Sequence, residues 1–150
     1  MELRQYRPED CAEMAQMFYD TVHAVNARDY SEAELNAWAT GQVDQAAWNE
    51  SFLAHRTLVA VENGTIIGFA DMDETGYLDR LYVHREHQGR GVATALCDAL
   101  ESGSGAGRFV THASITAKPF FERLGYRVVR KQQVERHGIR LTNFVMSRER

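Results

Sequence analysis

Proline and cysteine are nearly absent, two of each in 150 residues. Cys11 and Cys97 show no CxxC or Cys/His spacing, which excludes a disulfide framework and a zinc site of the usual kinds. Both read as reduced thiols in helix-like, apolar stretches, and no metal is expected. No apolar run approaches the roughly 18 residues a membrane helix needs. Met1 to Asp10 carries Glu2, Arg4, Arg7, Glu9 and Asp10 instead of the apolar stretch of a secretory signal. A basic excess is missing too: 17 Lys and Arg against 21 Asp and Glu leave a net charge of −4, the wrong balance for a nucleic-acid partner. These absences leave, as the expectation, a cytoplasmic protein with no membrane partner and one domain over residues 1–150. Its length suffices to bury about two thirds of the unfolded surface.

Periodicity supplies the elements. Pro8 suits a first helical turn, and Cys11, Met14, Ala15, Met17, Phe18, Val22 and Val25 then recur at helical spacing to about residue 26. Ser31 and Glu34 form an S-x-x-E capping box that opens a second helix to about Thr40, and a third runs from Asp44 to Leu53. Three β-like runs follow: Thr57 to Val61, Ile66 to Met72 and Tyr77 to Val83. Asn63-Gly64 makes a hairpin of the first two. A helix from Val92 to about Glu101 ends in a small-residue loop at 102–107. A strand at Arg108 to Ser114, a short helix at Ala117 to Leu124, and closing strands at Tyr126 to Val134 and Ile139 to Met146 complete the chain. The fold class is therefore α/β: a mixed, mostly antiparallel twisted sheet of about six or seven strands with one parallel crossover.

That crossover holds the most informative segment, Gln88-Gly89-Arg90-Gly91-Val92-Ala93, followed by Thr94. Two glycines turn the backbone sharply and a helix begins at once, so its first amides, which have no intrahelical partners, face outward at the positive end of the helix dipole. A diphosphate fits there. A Gly-Lys-Ser/Thr ending is missing, as is an early GxGxxG strand, which sets aside two familiar phosphate loops. The alternative is a glycine-eased turn without a ligand. His84, Arg85, His87 and Arg90 add positive charge that suits a phosphate, or they are solvated loop charges.

Gln88, Gly91 and Ala93 match, in register, the Q/R-x-x-G-x-G/A loop of the GCN5-related N-acetyltransferase superfamily. Ala117, Phe120, Phe121, Gly125 and Tyr126 match its second signature, and the chain resembles that superfamily over nearly its whole length. The resemblance implies acetyl-CoA, helices on both faces of the sheet, and central strands that splay apart beside Leu81, Tyr82 and Val83, whose backbone would hold the pantetheine arm. Gln88, Gly89, Arg90, Gly91, Val92, Ala93 and Thr94 would take the pyrophosphate. Ser114 would bond the pantetheine or cap the next helix, and Phe121 would line the cofactor path. A homodimer through the closing strands stays open.

The implied reaction is direct transfer of acetyl from the thioester to an amine of a small molecule, peptide or protein in a ternary complex. The amine must lose a proton before attack. Asp79 is the candidate general base, placed by strand alternation on the face of Tyr77 and Leu81. Its competing role is an ion pair with Arg80 or Arg123, and Asp71, Asp73 and Glu101 are rival carboxylates. The family's usual acid is a tyrosine where this chain has Phe121. Tyr126 is the candidate in its stead, with Tyr82, His112 or a water as alternatives. In the superfamily the segment between the first two helices lines the acceptor site, which makes His23, Tyr30 and Trp38 candidate acceptor contacts or core residues. A second class of reading is a catalytically idle acyl-CoA-binding or sensor module, kept open by Phe121.

Overall fold

The computed structural model describes residues Met1–Arg150. Seven strands form one sheet: β1 (Glu2–Gln5), β2 (Arg56–Glu62), β3 (Thr65–Met72), β4 (Tyr77–Val83), β5 (Arg108–Ser114), β6 (Arg127–Arg136) and β7 (Ile139–Glu149). Their order is β1-β2-β3-β4-β5-β7-β6, and only β4 and β5 run parallel. β1 is the strand that periodicity does not reveal. It is four residues long and mostly polar, and it exists because it pairs with β2 through Leu3 and Ala60.

Five helices cover the sheet: α1 (Cys11–Val25), α2 (Glu32–Trp38), α3 (Gln45–Ala54), α4 (Val92–Ser102) and α5 (Lys118–Arg123). The Ser31–Glu34 capping box closes in both directions, at 3.1 and 2.7 Å, and Asp44 caps α3 by accepting from the Ala47 amide at 3.0 Å. One face of the sheet packs Met14, Met17, Phe52, Val59 and Phe69 under α1 and α3. The other packs Leu58, Ala70, Leu78, Leu96, Leu100 and Phe109 under α4. Gly68 permits the closest approach there. A Cβ on it would stand 2.8 Å from Val92 Cγ1, so its absence lets the first turn of α4 lie down on β3.

Two irregularities shape the centre. β4 pairs Leu78 with Met72 and Arg80 with Asp71, leaving Asp79 as the extra residue of a bulge. The bulge inverts the alternation beyond it. Leu78, Leu81 and Val83 all join the core under α4, while Arg80 lies over the Phe52 ring at 4.4 Å and Tyr82 packs edge-on to Phe18 at 4.9 Å on the opposite face. The expectation that Asp79 shares a face with both Tyr77 and Leu81 is thereby corrected: the inserted residue moves Leu81 to the side of Leu78. The second irregularity is the fork. β4 and β5 pair only at Tyr77–Val110 and Leu78–Thr111, and the Thr111 hydroxyl donates to the Leu78 carbonyl at 3.0 Å as the final cross-strand bond.

Candidate active site

Beyond that last bond the strands part, and a cleft of about 790 Å³ opens between β4, β5, α4, α5 and the end of α1. Leu81, Tyr82 and Val83 form one wall. The His84 amide bonds back to Ile67 on β3, so the backbone groups of the odd residues Leu81 and Val83 turn toward the gap. The Val83 carbonyl is already taken, by the Gln88 side-chain amide at 2.7 Å and the Thr21 hydroxyl at 3.3 Å. Gln88 thus holds the loop to the strand end. The Leu81 groups and the Val83 amide are the ones left facing the gap.

Gly89 and Gly91 adopt φ of +74° and +80°, values that favour glycine, and a Cβ on either would meet nothing within 4 Å. The loop surface is open, and no side chain caps α4. Gly89, Gly91, Val92, Ala93 and Thr94 line the cleft with Gln88. Arg90 does not: it is exposed and lies 3.9 Å from Glu62, which also holds His87 at 3.4 Å. Across the fork, Ser114 lines the cleft while its hydroxyl accepts from the Ala117 amide at 3.0 Å, the capping alternative. Phe121 is buried at the cleft edge between Phe120 and Tyr126 and offers no proton.

Asp79 alone among the four candidate carboxylates reaches the cleft. Its partner is Arg80, at 3.2 Å, and not Arg123. Asp71 is fully buried. Burial pushes its carboxyl up against the opposing pull of Arg80, which holds it at 2.8 and 3.1 Å, and of His55, which donates at 2.8 Å. His55, Asp71 and Asp79 gather their donor atoms within 4.8 Å, but the Arg80 guanidinium bonds both carboxylates and supplies the positive charge there. Asp73 is spent on the turn to Thr75 and Tyr77, and Glu101 on Tyr126 and Arg148.

Three residues that looked functional lie outside the cleft. Tyr126 is 2 % exposed and donates to Glu101 at 2.6 Å; burial and that carboxylate push its hydroxyl up, so it is a joint between α4 and α5, not a proton donor at the fork. His23 donates to the Ala39 carbonyl at 2.8 Å and stacks on Tyr19. Tyr30 accepts from the Ile115 amide at 2.9 Å and donates to the Thr142 carbonyl at 2.6 Å, ending the β5–β7 ladder just past Ser114. Trp38 does line the cleft, its indole donating to the Tyr82 hydroxyl at 3.3 Å, and burial pushes that hydroxyl up to about 12.

Asn26 and Arg28, from the segment expected to line the acceptor site though not singled out in it, border the cleft, and so do Thr21 on α1 and Thr111 and Thr116 around β5, which local sequence does not mark. Each is an ordinary polar residue. Only the packing of α1 against β4, and the bond from Thr116 to Asp29 at 2.8 Å, brings them to one opening.

Comparison with known proteins agrees with this geometry. The family description "Acetyltransferase (GNAT) domain" matches residues 26–148. The chain is 37% identical over 146 residues to the uncharacterized N-acetyltransferase YafP of Escherichia coli, covering 97% of this chain and 94% of that one. It is 29% identical over 129 residues to the L-amino acid N-acyltransferase MnaT of the same organism, covering 79% and 72%. Among solved structures, a GCN5-related N-acetyltransferase from Rhodopseudomonas palustris superposes with a TM-score of 0.94 at 36% identity, covering 99% of this chain and 94% of that one. The PaiA N-acetyltransferase of Thermoplasma acidophilum, solved with coenzyme A, shares the fold at a TM-score of 0.79 and 16% identity over 99% and 98% of the two chains. The forked sheet, the open glycine loop and these likenesses agree: the chain belongs to the GCN5-related N-acetyltransferase superfamily.

Proposed function

We propose that this protein is an acetyl-CoA-dependent N-acetyltransferase that moves the acetyl group directly to an amine bound in the same cleft. The observation that carries this is the pairing of an uncapped α4 N-terminus, reached through two open glycines, with a fork in the sheet one strand away. The amides of Val92, Ala93 and Thr94 would hold the pyrophosphate, and the backbone of Leu81 and Val83 the pantetheine arm. Acetyl-CoA supplies the activated acyl carbon. Asp79, the cleft's one carboxylate, draws a cationic amine to the fork and begins its deprotonation.

Arg28, a largely exposed guanidinium at the α1 end of the cleft, and the likeness to an L-amino acid N-acyltransferase both favour an acceptor that carries a carboxylate beside its amine. Phe121 favours a second reading, an acyl-CoA-binding module without turnover. Release of coenzyme A thiol from acetyl-CoA, measured over a panel of amino acids and simple amines, separates the two. Acceptor-dependent thiol release supports the transferase; tight acetyl-CoA binding with no release by any amine supports the module.

A further inference from the structure

We infer that His112 is a second proton-handling residue, and that Asp79 and His112, facing each other across the mouth of the fork, work as one base. This rests on the acetyltransferase reading of the same cleft. Parallel pairing runs Tyr77–Val110, Leu78–Thr111 and stops, so Asp79 and His112 are the next residues on the two strands, the first to stand apart. Both line the cleft. No other imidazole lines it on the β5 side, and Asp79 is its only carboxylate.

The setting of His112 suits a base. Tyr77 packs edge-on to its ring at 5.3 Å, and the Gln132 side-chain amide lies 3.5 Å from Nδ1. Gln132 and Val145, its neighbours on β6 and β7, contribute no charge; Arg130 and Arg136 from β6 do. Burial, then these two arginines, pull the imidazole below its ordinary value, while Asp79 pulls it up. The ring is therefore neutral at pH 7, and neutral imidazole is the side chain whose proton affinity best matches that pH. The Gln132 side-chain nitrogen reaches Nδ1 only at 3.5 Å, too far to fix the tautomer, and a neutral ring leaves one nitrogen free to accept a proton.

The balance is simple. The acceptor arrives as an ammonium paired with the Asp79 carboxylate. One N–H bond breaks, and the proton passes, by way of that carboxylate, to the free ring nitrogen of His112. The neutral amine then bonds the thioester carbonyl carbon as the C–S bond breaks. The second nitrogen-bound proton is the one that neutralises the departing thiolate, so a phenylalanine at position 121 leaves the stoichiometry complete.

The experiment is a pH profile of kcat/KM for the parent, His112→Asn, Asp79→Asn and the double variant, alongside calorimetric affinity for coenzyme A. His112→Asn should lose about 100-fold at pH 7. Its rate should converge on the parent's as pH rises and free amine becomes abundant, with coenzyme A affinity unchanged. The double variant should fall no further than the worse single one, because the two groups act as a unit. NMR titration of the histidine rings reads the pairing without turnover. The signal missing from His112→Asn identifies the ring, and its midpoint should move further down in Asp79→Asn. A His112→Asn profile equal to the parent's at every pH, or a His112 midpoint indifferent to Asp79→Asn, overturns the inference. A parent that releases no thiol with any amine overturns the transferase reading instead, and the NMR shift still decides whether the two residues are coupled.

Discussion

The two halves of the cleft are built from different material. The α4 half is backbone: amides of Val92 to Thr94 and two glycines whose Cβ positions would face open space. The opposite half, where the proposed acceptor would sit, is side chains, Asp79, His112, Trp38, Asn26 and Arg28, brought from four separate parts of the chain. Backbone donors exist whatever the residue, so the first half needs only a local conformation and leaves a short contiguous motif. The second needs particular functional groups held by distant packing, and it leaves no motif at all.

Substitutions test this contrast most sharply where the side-chain half is anchored. Asp71→Ala should destabilise the fold by about 3–5 kcal/mol, because it strands the Arg80 guanidinium beside Phe52 without its buried counter-charge; thermal or urea unfolding reads this, and a loss below about 1 kcal/mol would mean that Arg80 finds solvent. On the backbone half, Gly91→Glu should cut coenzyme A affinity by about 100-fold or more, roughly 2.7 kcal/mol, by setting a carboxylate against the pyrophosphate. The strain at φ +80° costs only about 1–2 kcal/mol of stability. Calorimetry checks both, and unchanged affinity would detach the loop from the cofactor.

Tyr126→Phe should reduce stability by about 2 kcal/mol, through its lost bond to Glu101, while leaving kcat within about twofold of the parent. A large fall in kcat at constant KM would return Tyr126 to the chemistry. The smallest effect belongs to Gln88→Ala, which frees the Val83 carbonyl and loosens the loop. Coenzyme A affinity should fall about fivefold, near 1 kcal/mol, with no change in the pH profile.

Legibility followed the same division. Gly89, Gly91 and the helix behind them are neighbours in the chain, so the loop, the crossover strand and helix, and the hairpin at Asn63-Gly64 could be read directly. β1 was hidden because three polar residues around a single leucine carry no periodic signal and depend on β2 for their pairing. The bulge was hidden because neither glycine nor proline marks it; the register of β3 against β4 creates it. Tyr30 and Tyr126 looked alike as polar aromatics near the expected cleft. Their hydroxyls went to partners far off in sequence, Ile115 and Thr142 for one and Glu101 for the other, which no local window contains.

The bulge at Asp79 also makes that one position removable without disturbing either face of β4. Excising Asp79 would leave Leu78, Arg80 and Leu81 as successive rungs of a regular ladder, each on the side it already occupies, and would take away the only carboxylate that lines the cleft. A homologue whose β4 is shorter by this residue therefore keeps the same floor and lacks this carboxylate.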